Sequence, residues 1–162
     1  MREVSKDDKL FYFEKSFFTL DGLWMIETEK ITDWETALKI DAKVWIRLMR
    51  IIIHRIRKYL NIETNSLKDL INILTFRWSV EGWDYDIEKN EENQAIIKIN
   101  NCPYNSIMKR NPERHEKIPL ICKEMCLPFY SEIAKEFNPE IKIERSKYMG
   151  LGDDKCDFHF KI

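Results

Sequence analysis

Glycine is scarce in this chain, with only four among 162 residues. A phosphate-binding loop places several glycines between a strand and a helix, whereas Gly150 and Gly152 stand before a predicted strand. The sequence therefore lacks the glycine-rich loop of a nucleotide-binding protein.

The chain also lacks an excess of charge of either sign. Its 27 Lys and Arg residues are balanced by 28 Asp and Glu residues, which gives a formal net charge of −1. No overall positive field attracts nucleic acid, and the basic segment from Arg47 to Lys58 has the pattern of a solvated helix face. We expect no nucleic-acid partner.

Long apolar runs are absent too. Charged residues interrupt every apolar stretch before it reaches the ~20 residues that span a membrane. The N-terminal MREVSKDDKLFYF has no apolar stretch followed by a small-residue cleavage site. We therefore expect a cytoplasmic protein with no membrane partner. Thiols stay reduced in that compartment, which favours metal ligands, catalytic groups or core residues over disulfides.

The sequence is rich in apolar side chains: 44% of its residues are hydrophobic, 12% are aromatic and 34% are charged. This mixture is typical of a packed core beneath a charged surface. The length fits one domain of ordinary size. We predict a single domain over residues 1–162.

Apolar spacing predicts three helices in the first half of the chain. The first covers 6–20, up to Asp21-Gly22, and residues 23–28 either continue it or form a short extended segment. A capping box formed by Thr32 and Glu35 starts a long helix that ends near residue 60. A shorter helix over 66–74 follows, with Ser66 as its cap.

The second half of the chain predicts strands in pairs. Alternating or continuous apolar patterns place strands at 76–83, 95–99, 141–144 and 156–160. A helix over 118–137 separates the two pairs, and Pro128 within it removes an amide, which predicts a kink beside Cys122 and Cys126. The fold class is therefore α+β: N-terminal helices packed on a four-stranded antiparallel sheet of two hairpins, with a helix between the hairpins.

Four cysteines are the best candidates for a metal site, which would hold zinc: Cys102, Cys122, Cys126 and Cys156. Zinc prefers four tetrahedral ligands drawn from Cys and His. Cys122 and Cys126 stand four residues apart, on one face of the predicted helix. Cys102 ends one predicted strand and Cys156 begins another, so the four thiols could meet at one end of the sheet. The alternative is that they pack in the core, as free cysteines often do.

Other side chains could complete or replace this ligand set. Glu144 is the first substitute, as an oxygen ligand in place of Cys102, and His115 or His159 could supply nitrogen. A nucleophilic cysteine with a histidine base is a further alternative. Cys156 and His159 do not suit that role together, because an odd offset along a strand sends the two side chains to opposite faces.

An aromatic ligand pocket is the second predicted site, lined by Trp24, Asp41, Trp45 and Trp78. Trp side chains in this number belong to a core or line an apolar pocket. Asp41 lies within the apolar seam of the long helix, where a carboxylate is costly unless it has a partner. It is either a buried hydrogen-bonded anchor or a pocket-lining group.

The order of elements resembles the 4-vinyl-reductase small-molecule-binding domain of bacterial aromatic-sensing regulators. The resemblance is clearest from Cys102 to Ile162 and closes on Glu144-x11-Cys156-Asp157-Phe158. Two N-terminal pieces, Asp21-Gly22-Leu23-Trp24 and Ala37-x3-Asp41-x2-Val44-Trp45, look like an uncharacterised prokaryotic and archaeal family near L-2-amino-thiazoline-4-carboxylate hydrolases.

The resemblance implies a zinc site to which Cys122, Glu144 and Cys156 correspond. The regulators carry a further cysteine where this chain has Lys147, so Cys126 or Cys102 would complete the site. It also implies a homodimeric, sensor-like domain with structural zinc and a small hydrophobic or aromatic ligand. The alternatives are a small-molecule hydrolase or reductase with a Cys, Asp41 or metal-based site, and an interaction subunit like those of vesicle-tethering complexes.

Overall fold

The computed structural model describes residues 2–162 and divides into two compact units. The first unit ends at Asp41, and the second runs from Ala42 to Ile162. The boundary falls within a continuous helix, so we describe each unit by itself. The single domain expected over residues 1–162 stays a prediction.

The helices and strands follow one another in the order α1 (Lys6–Ile31), α2 (Trp34–Leu60), α3 (Leu67–Val80), β1 (Asp84–Asn90), β2 (Gln94–Asn101), α4 (Pro103–Met108), α5 (Ile118–Leu120), a π turn (Ile121–Cys126), α6 (Leu127–Phe137), β3 (Lys142–Glu144) and β4 (Cys156–Lys161). Short 3-10 turns cover Pro112–Lys117 and Met149–Leu151. The predicted α+β class is confirmed.

Helix α1 begins with a capping box. The Ser5 hydroxyl accepts a hydrogen bond from the Asp8 amide at 3.1 Å, and the Asp8 carboxylate accepts one from the Ser5 amide at 3.0 Å. Of the two alternatives for residues 23–28, the structure has the continued helix: α1 has no break at Asp21-Gly22 and runs to Ile31. A glycine inside a helix costs only about 0.5–1 kcal/mol relative to alanine, so Gly22 weakens α1 without ending it.

Helix α2 begins one residue later than predicted. Asp33 caps it by accepting a hydrogen bond from the Thr36 amide at 2.8 Å. Thr32 is not the cap, because its hydroxyl donates to the Thr28 carbonyl oxygen at 2.7 Å and so completes the end of α1. The predicted length of α2, to Leu60, is confirmed.

Helix α3 replaces the predicted strand over 76–83. Its cap is Ser66, as predicted, but the helix runs to Val80 instead of ending near residue 74. The alternation of Phe76, Trp78 and Val80 suggested a strand, whereas the buried residues of α3 follow the helical spacing Leu67, Leu70, Ile71, Leu74 and Trp78. The longer apolar pattern determines the structure of this segment, because as a helix it buries one complete face.

The four strands form one antiparallel sheet with the order β1-β2-β4-β3. β1 pairs with β2 and β3 with β4, so the sheet consists of two antiparallel pairs, as predicted. The first strand of the first pair is Asp84–Asn90 and not the predicted segment 76–83. At the centre, Ala95 lies opposite Phe160, Ile97 opposite Phe158 and Ile99 opposite Cys156. All six side chains are buried, so they form the inner face of the sheet.

The segment from Ile118 to Phe137 is helical almost throughout, as predicted. Its irregularity lies directly before Pro128, where a π turn replaces α-helix over Ile121–Cys126. Arg50 of α2 donates to Glu132 at 3.1 Å and also bonds Glu136, and both carboxylates belong to α6. This ion-paired group ties α2 to α6 within the second unit.

The core of the second unit is built from one face of each element. Trp45, Met49 and Ile56 come from α2, and α3 contributes most of its apolar residues. Phe129, Tyr130, Ile133 and Phe137 come from α6. Among residues 2–162, no helix has the length and apolar content needed to span a membrane.

Candidate functional site: the four-cysteine cluster

The four cysteines lie in one region of the second unit. Cys102 directly follows β2, and Cys156 opens the neighbouring strand β4 on the inner face of the sheet. Burial raises the pKa of Cys102, and the charges of Cys126, Cys156 and Cys122 raise it further. All four cysteines are free, and their convergence on one metal ion stays a prediction.

The π turn supplies two of the thiols, Cys122 and Cys126. A π turn widens the helix by one residue per turn, and such turns are frequent at functional sites. Pro128 has no amide to donate four residues back, which favours the wider turn at this point. The π turn therefore contains both cysteines of this pair.

Two of the four sulfurs accept a hydrogen bond from an N–H group. The Met149 amide donates to the Cys156 sulfur at 3.2 Å. Arg145 donates from Nη1 to the Cys126 sulfur at 3.1 Å. The backbone amides of Asn105 and Gly150 lower the pKa of Cys102 and Cys122, respectively, against the larger effect of burial. N–H donors of this kind stabilise negative charge on an acceptor sulfur.

Gly150 lets the chain approach Cys122 closely. A Cβ atom at this position would lie 2.3 Å from the Cys122 sulfur and 3.1 Å from a methyl carbon of Ile118. Any residue other than glycine would push the 149–151 turn away from the π turn. The close packing of this turn on Cys122 therefore depends on glycine.

Arg145 is the cation of the cluster. Its Nε donates to the Asp157 carbonyl oxygen at 2.8 Å, and its guanidinium carbon lies 4.2 Å and 4.3 Å from the ring centroids of Phe158 and Tyr148. No carboxylate within residues 2–162 pairs with it. In place of a carboxylate, the Cys126 sulfur accepts a hydrogen bond from this half-buried cation.

The loop before β4 holds Arg145 in place. The Asp157 carboxylate accepts hydrogen bonds from the Ser146 and Lys147 amides, both at 2.8 Å. His159 contacts the same carboxylate at 3.1 Å. These bonds fix the backbone next to Arg145, so its side chain is directed at Cys126.

Burial favours the neutral form of Cys122 and Cys126. It raises the pKa of Cys122 to about 11, with the charges of Cys126 and Cys156 adding to the effect. Burial also raises the pKa of Cys126, against the opposing effect of Arg145. Within the part of the chain that is described, no three His, Cys, Asp or Glu side chains are arranged to hold a metal ion. The four cysteines thus have the chemistry of zinc ligands without the arrangement of a zinc site.

The substitute ligands lie away from the cysteines. Glu144 is exposed and pairs with Lys161 at 2.8 Å, and in the sheet it lies opposite His159. Since His159 and Cys156 are three residues apart on β4, Glu144 and His159 share the face opposite to Cys156. His115 is exposed and contacts the Lys109 carbonyl oxygen at 2.9 Å. None of the three reaches the cluster.

Two of the predicted pocket residues belong to the core of the second unit. Trp78 is fully buried, donates from Nε1 to the Tyr130 hydroxyl at 2.8 Å, and lies 5.4 Å from the Phe158 ring centroid. Trp45 lies edge-on to Tyr104 and Phe129. Both indoles therefore pack against the protein's own aromatic residues.

The other two predicted pocket residues belong to the first unit. Trp24 is 62% exposed. Asp41 is half-buried and forms no hydrogen bond within the described residues. Its pKa is raised to about 7 by burial and by the charge of Asp21. The Asp41 carboxylate therefore lacks the hydrogen bonds of a buried anchor, which is one of its two predicted roles.

The sequence reasoning missed Arg77, a buried cation beside the cluster. Arg77 donates from Nε to Glu81 at 2.7 Å and lies over the Trp45 and Phe129 rings. Its charge also lowers the pKa of Cys126, although burial of that thiol has the larger, opposite effect. The spacing of Arg77 and Glu81, four residues apart, is an ion-pair signature of a helix and could have identified α3 at this point.

The fold and the cluster define an α+β protein with a thiol-lined site at the end of an antiparallel sheet. Residues 2–157 match the model of a family of unknown function, DUF6125. The chain belongs to this family. No curated protein matches the chain.

Among solved structures, the chain is similar to a trafficking protein particle complex subunit 3 from Naegleria fowleri, covalently bound to palmitic acid. The TM-score is 0.62, the identity is 13%, and the match covers 91% of this chain and 93% of that chain. At this identity the likeness shows a common fold and nothing about activity.

Proposed function

We propose that this protein is a small-molecule-binding, sensor-like domain that contains a structural zinc ion held by Cys102, Cys122, Cys126 and Cys156. The carrying observation is the set of N–H donors on the cysteine sulfurs: the Met149 amide donates to Cys156, and Arg145, a cation, donates to Cys126. Zinc-bound thiolates are anionic, and such donors stabilise the negative charge.

The charges around the cluster support this proposal. Four thiolates around Zn²⁺ carry a net charge of −2, which a buried site must offset. Arg145 has no carboxylate partner among the described residues and already donates to Cys126. Zinc binding would release the protons of the coordinating thiols.

A structural role follows from the number of ligands. Four protein ligands fill the four positions that zinc uses in structural sites and leave none for a reactive water. The ion would join the π turn to the end of the sheet. The alternative, a metal-dependent hydrolase, requires one thiol to remain outside the coordination shell.

A small hydrophobic or aromatic ligand is the second part of the proposal. The region beside the cluster is rich in aromatic rings, including Trp45, Tyr104 and Phe129, and sites for such ligands are lined mainly by apolar and aromatic groups. A protein of the same fold carries palmitic acid. That precedent supports an apolar ligand and leaves its identity to experiment.

Metal analysis of the purified protein tests the zinc centre. We expect about one zinc per chain, a lower melting temperature after chelation, and loss of zinc in Cys122→Ser and Cys156→Ser. Glu144→Gln is the matched control, because Glu144 is exposed and paired with Lys161, and it should retain the metal. A metal-free protein whose melting temperature does not respond to added zinc or to the Cys→Ser changes would refute this part of the proposal.

A second candidate, an interaction subunit, is favoured by α1. This helix has no buried residue, and its Phe11, Tyr12 and Phe13 are each more than 60% exposed. Exposed apolar groups in this number mark an association surface. The protein of similar fold is a complex subunit. Light scattering would test the expected homodimer: Phe11→Glu with Phe13→Glu should reduce the mass, and an unchanged mass would exclude α1 from the contact.

A further inference from the structure

Two buried N–H groups beside the cysteine cluster have no acceptor within residues 2–162. They are Nη1 of Arg77 and Nδ2 of Asn105. The two residues are only 7% and 4% exposed. A buried donor without an acceptor costs roughly 1–3 kcal/mol, and native proteins seldom leave such groups unmatched. These donors therefore point to an acceptor supplied by a ligand.

The two donors belong to elements that are joined by aromatic contacts. The Arg77 guanidinium lies 5.4 Å from the Trp45 ring centroid, and that ring lies 5.5 Å from the ring of Tyr104, the residue before Asn105. Tyr104 and Asn105 lie in α4, which begins directly after Cys102. Arg77 and the helix that carries Asn105 therefore meet at the Trp45 ring.

The charge of the acceptor follows from the surroundings of Arg77. Its Nε already donates to Glu81 at 2.7 Å, and both side chains of this pair are at least 87% buried. Trp83 donates to the same carboxylate at 3.1 Å. Glu81 therefore neutralises Arg77, and Asn105 carries no charge. The remaining N–H groups need a hydrogen-bond acceptor but no second negative charge, which would be costly when buried.

We propose that Arg77 and Asn105 form a subsite for the carbonyl oxygen of a neutral aromatic or apolar ligand. A carbonyl oxygen offers lone pairs and no proton that would itself need an acceptor. The rings of Trp45 and Phe129 beside Arg77 suit the apolar body of such a ligand. This inference rests on the small-molecule-binding function proposed above and specifies the polar group of its ligand.

Isothermal titration with three matched probes tests the subsite. Acetophenone carries a neutral carbonyl, ethylbenzene has a similar skeleton without an acceptor, and benzoate carries a charged carboxylate. We expect acetophenone to bind about tenfold more tightly than either, which is the effect of one neutral hydrogen bond. Asn105→Leu should remove most of this preference, whereas Asn90→Leu, at an exposed position on β1, should preserve it.

Arg77→Lys provides a second variant in case Asn105→Leu does not fold. It keeps a positive charge opposite Glu81 but removes Nη1, so it should also lower the preference for acetophenone. Equal binding of acetophenone and ethylbenzene would overturn the subsite while leaving an aromatic-binding function in place. Tighter binding of benzoate would overturn the neutral acceptor. Absence of binding for all three probes, in protein with a measured zinc content, would overturn the ligand-binding function itself.

Discussion

Helices α1 and α3 are both rich in aromatic and aliphatic residues, but they differ in how far these residues are buried. No residue of α1 is buried, whereas seven of the 14 residues of α3 are. The apolar residues of α3 recur on one face. Those of α1 include four consecutive positions, 10–13, which point in different directions around a helix. The spacing of apolar residues, and not their number, decides whether a helix enters the core.

The largest expected difference is between two tryptophan substitutions, one in each unit. Trp78→Ala should lower the free energy of unfolding by about 3–5 kcal/mol, because it opens a cavity in the core and leaves the Tyr130 hydroxyl without its donor. Trp24→Ala, at a position that is 62% exposed, should change it by about 0.5 kcal/mol or less. Urea denaturation measures both. Equal losses would mean that Trp24 is covered in solution.

The first unit contains one group whose burial is costly, Asp41. Its pKa of about 7 in the folded protein is far above the value of about 3.9 expected in the unfolded chain. The folded form therefore binds this proton more tightly. Its contribution to stability is present in full below about pH 4 and is lost as the pH rises to about 7.

Asp41→Asn should consequently stabilise the protein at pH 8, by about 2–4 kcal/mol, and leave it nearly unchanged at pH 4. Melting curves at both pH values check this. A constant difference between Asp41→Asn and wild type across this range would contradict the raised pKa.

Glycine substitutions should have opposite signs in the two units. Gly150→Ala forces a Cβ atom against the Cys122 sulfur and should destabilise by about 1–3 kcal/mol, as overpacking does. Gly22→Ala meets nothing within 4 Å in α1 and should stabilise by about 0.5–1 kcal/mol. Thermal melting measures both. Cys122→Ala should rescue part of the loss in Gly150→Ala, and its failure to do so would show that the close contact is absent.

The smallest expected effect concerns the two helix caps. Ser66→Ala should cost about 1 kcal/mol, because the Ser66 hydroxyl accepts from the Asp69 amide at 3.1 Å at the start of a buried helix. Ser5→Ala should affect global unfolding less, since α1 contributes no buried residue. Chemical denaturation would detect the difference, and a larger loss for Ser5→Ala would reverse the contrast between the helices.

The candidate site was only partly predictable. The positions of Cys102 and Cys156 at strand ends and the distortion at Cys122 and Cys126 follow from local patterns, namely strand periodicity and the missing amide of Pro128. Arg145 and Asn105 carry no local signal. Their importance lies in contacts with residues that are distant along the chain, such as the 3.1 Å contact of Arg145 with Cys126.

The errors have equally specific causes. The segment at 76–83 has a short alternation that fits a strand and a longer spacing that fits a helix, and only the core beneath α3 decides between them. Glu144 matched a family pattern by its position. The register of β3 against β4 places it opposite His159 and therefore away from Cys156.

By itself the sequence determined the α+β class, the β3–β4 hairpin, the end of α2 at Leu60 and the positions of Cys102 and Cys156 at strand ends, because periodicity, caps and proline act over a few residues. The tertiary structure decided which apolar residues are buried and which cation faces the thiols, and it left two buried N–H groups without an acceptor among the described residues. Such features depend on packing between segments far apart in the chain, and no local pattern encodes them.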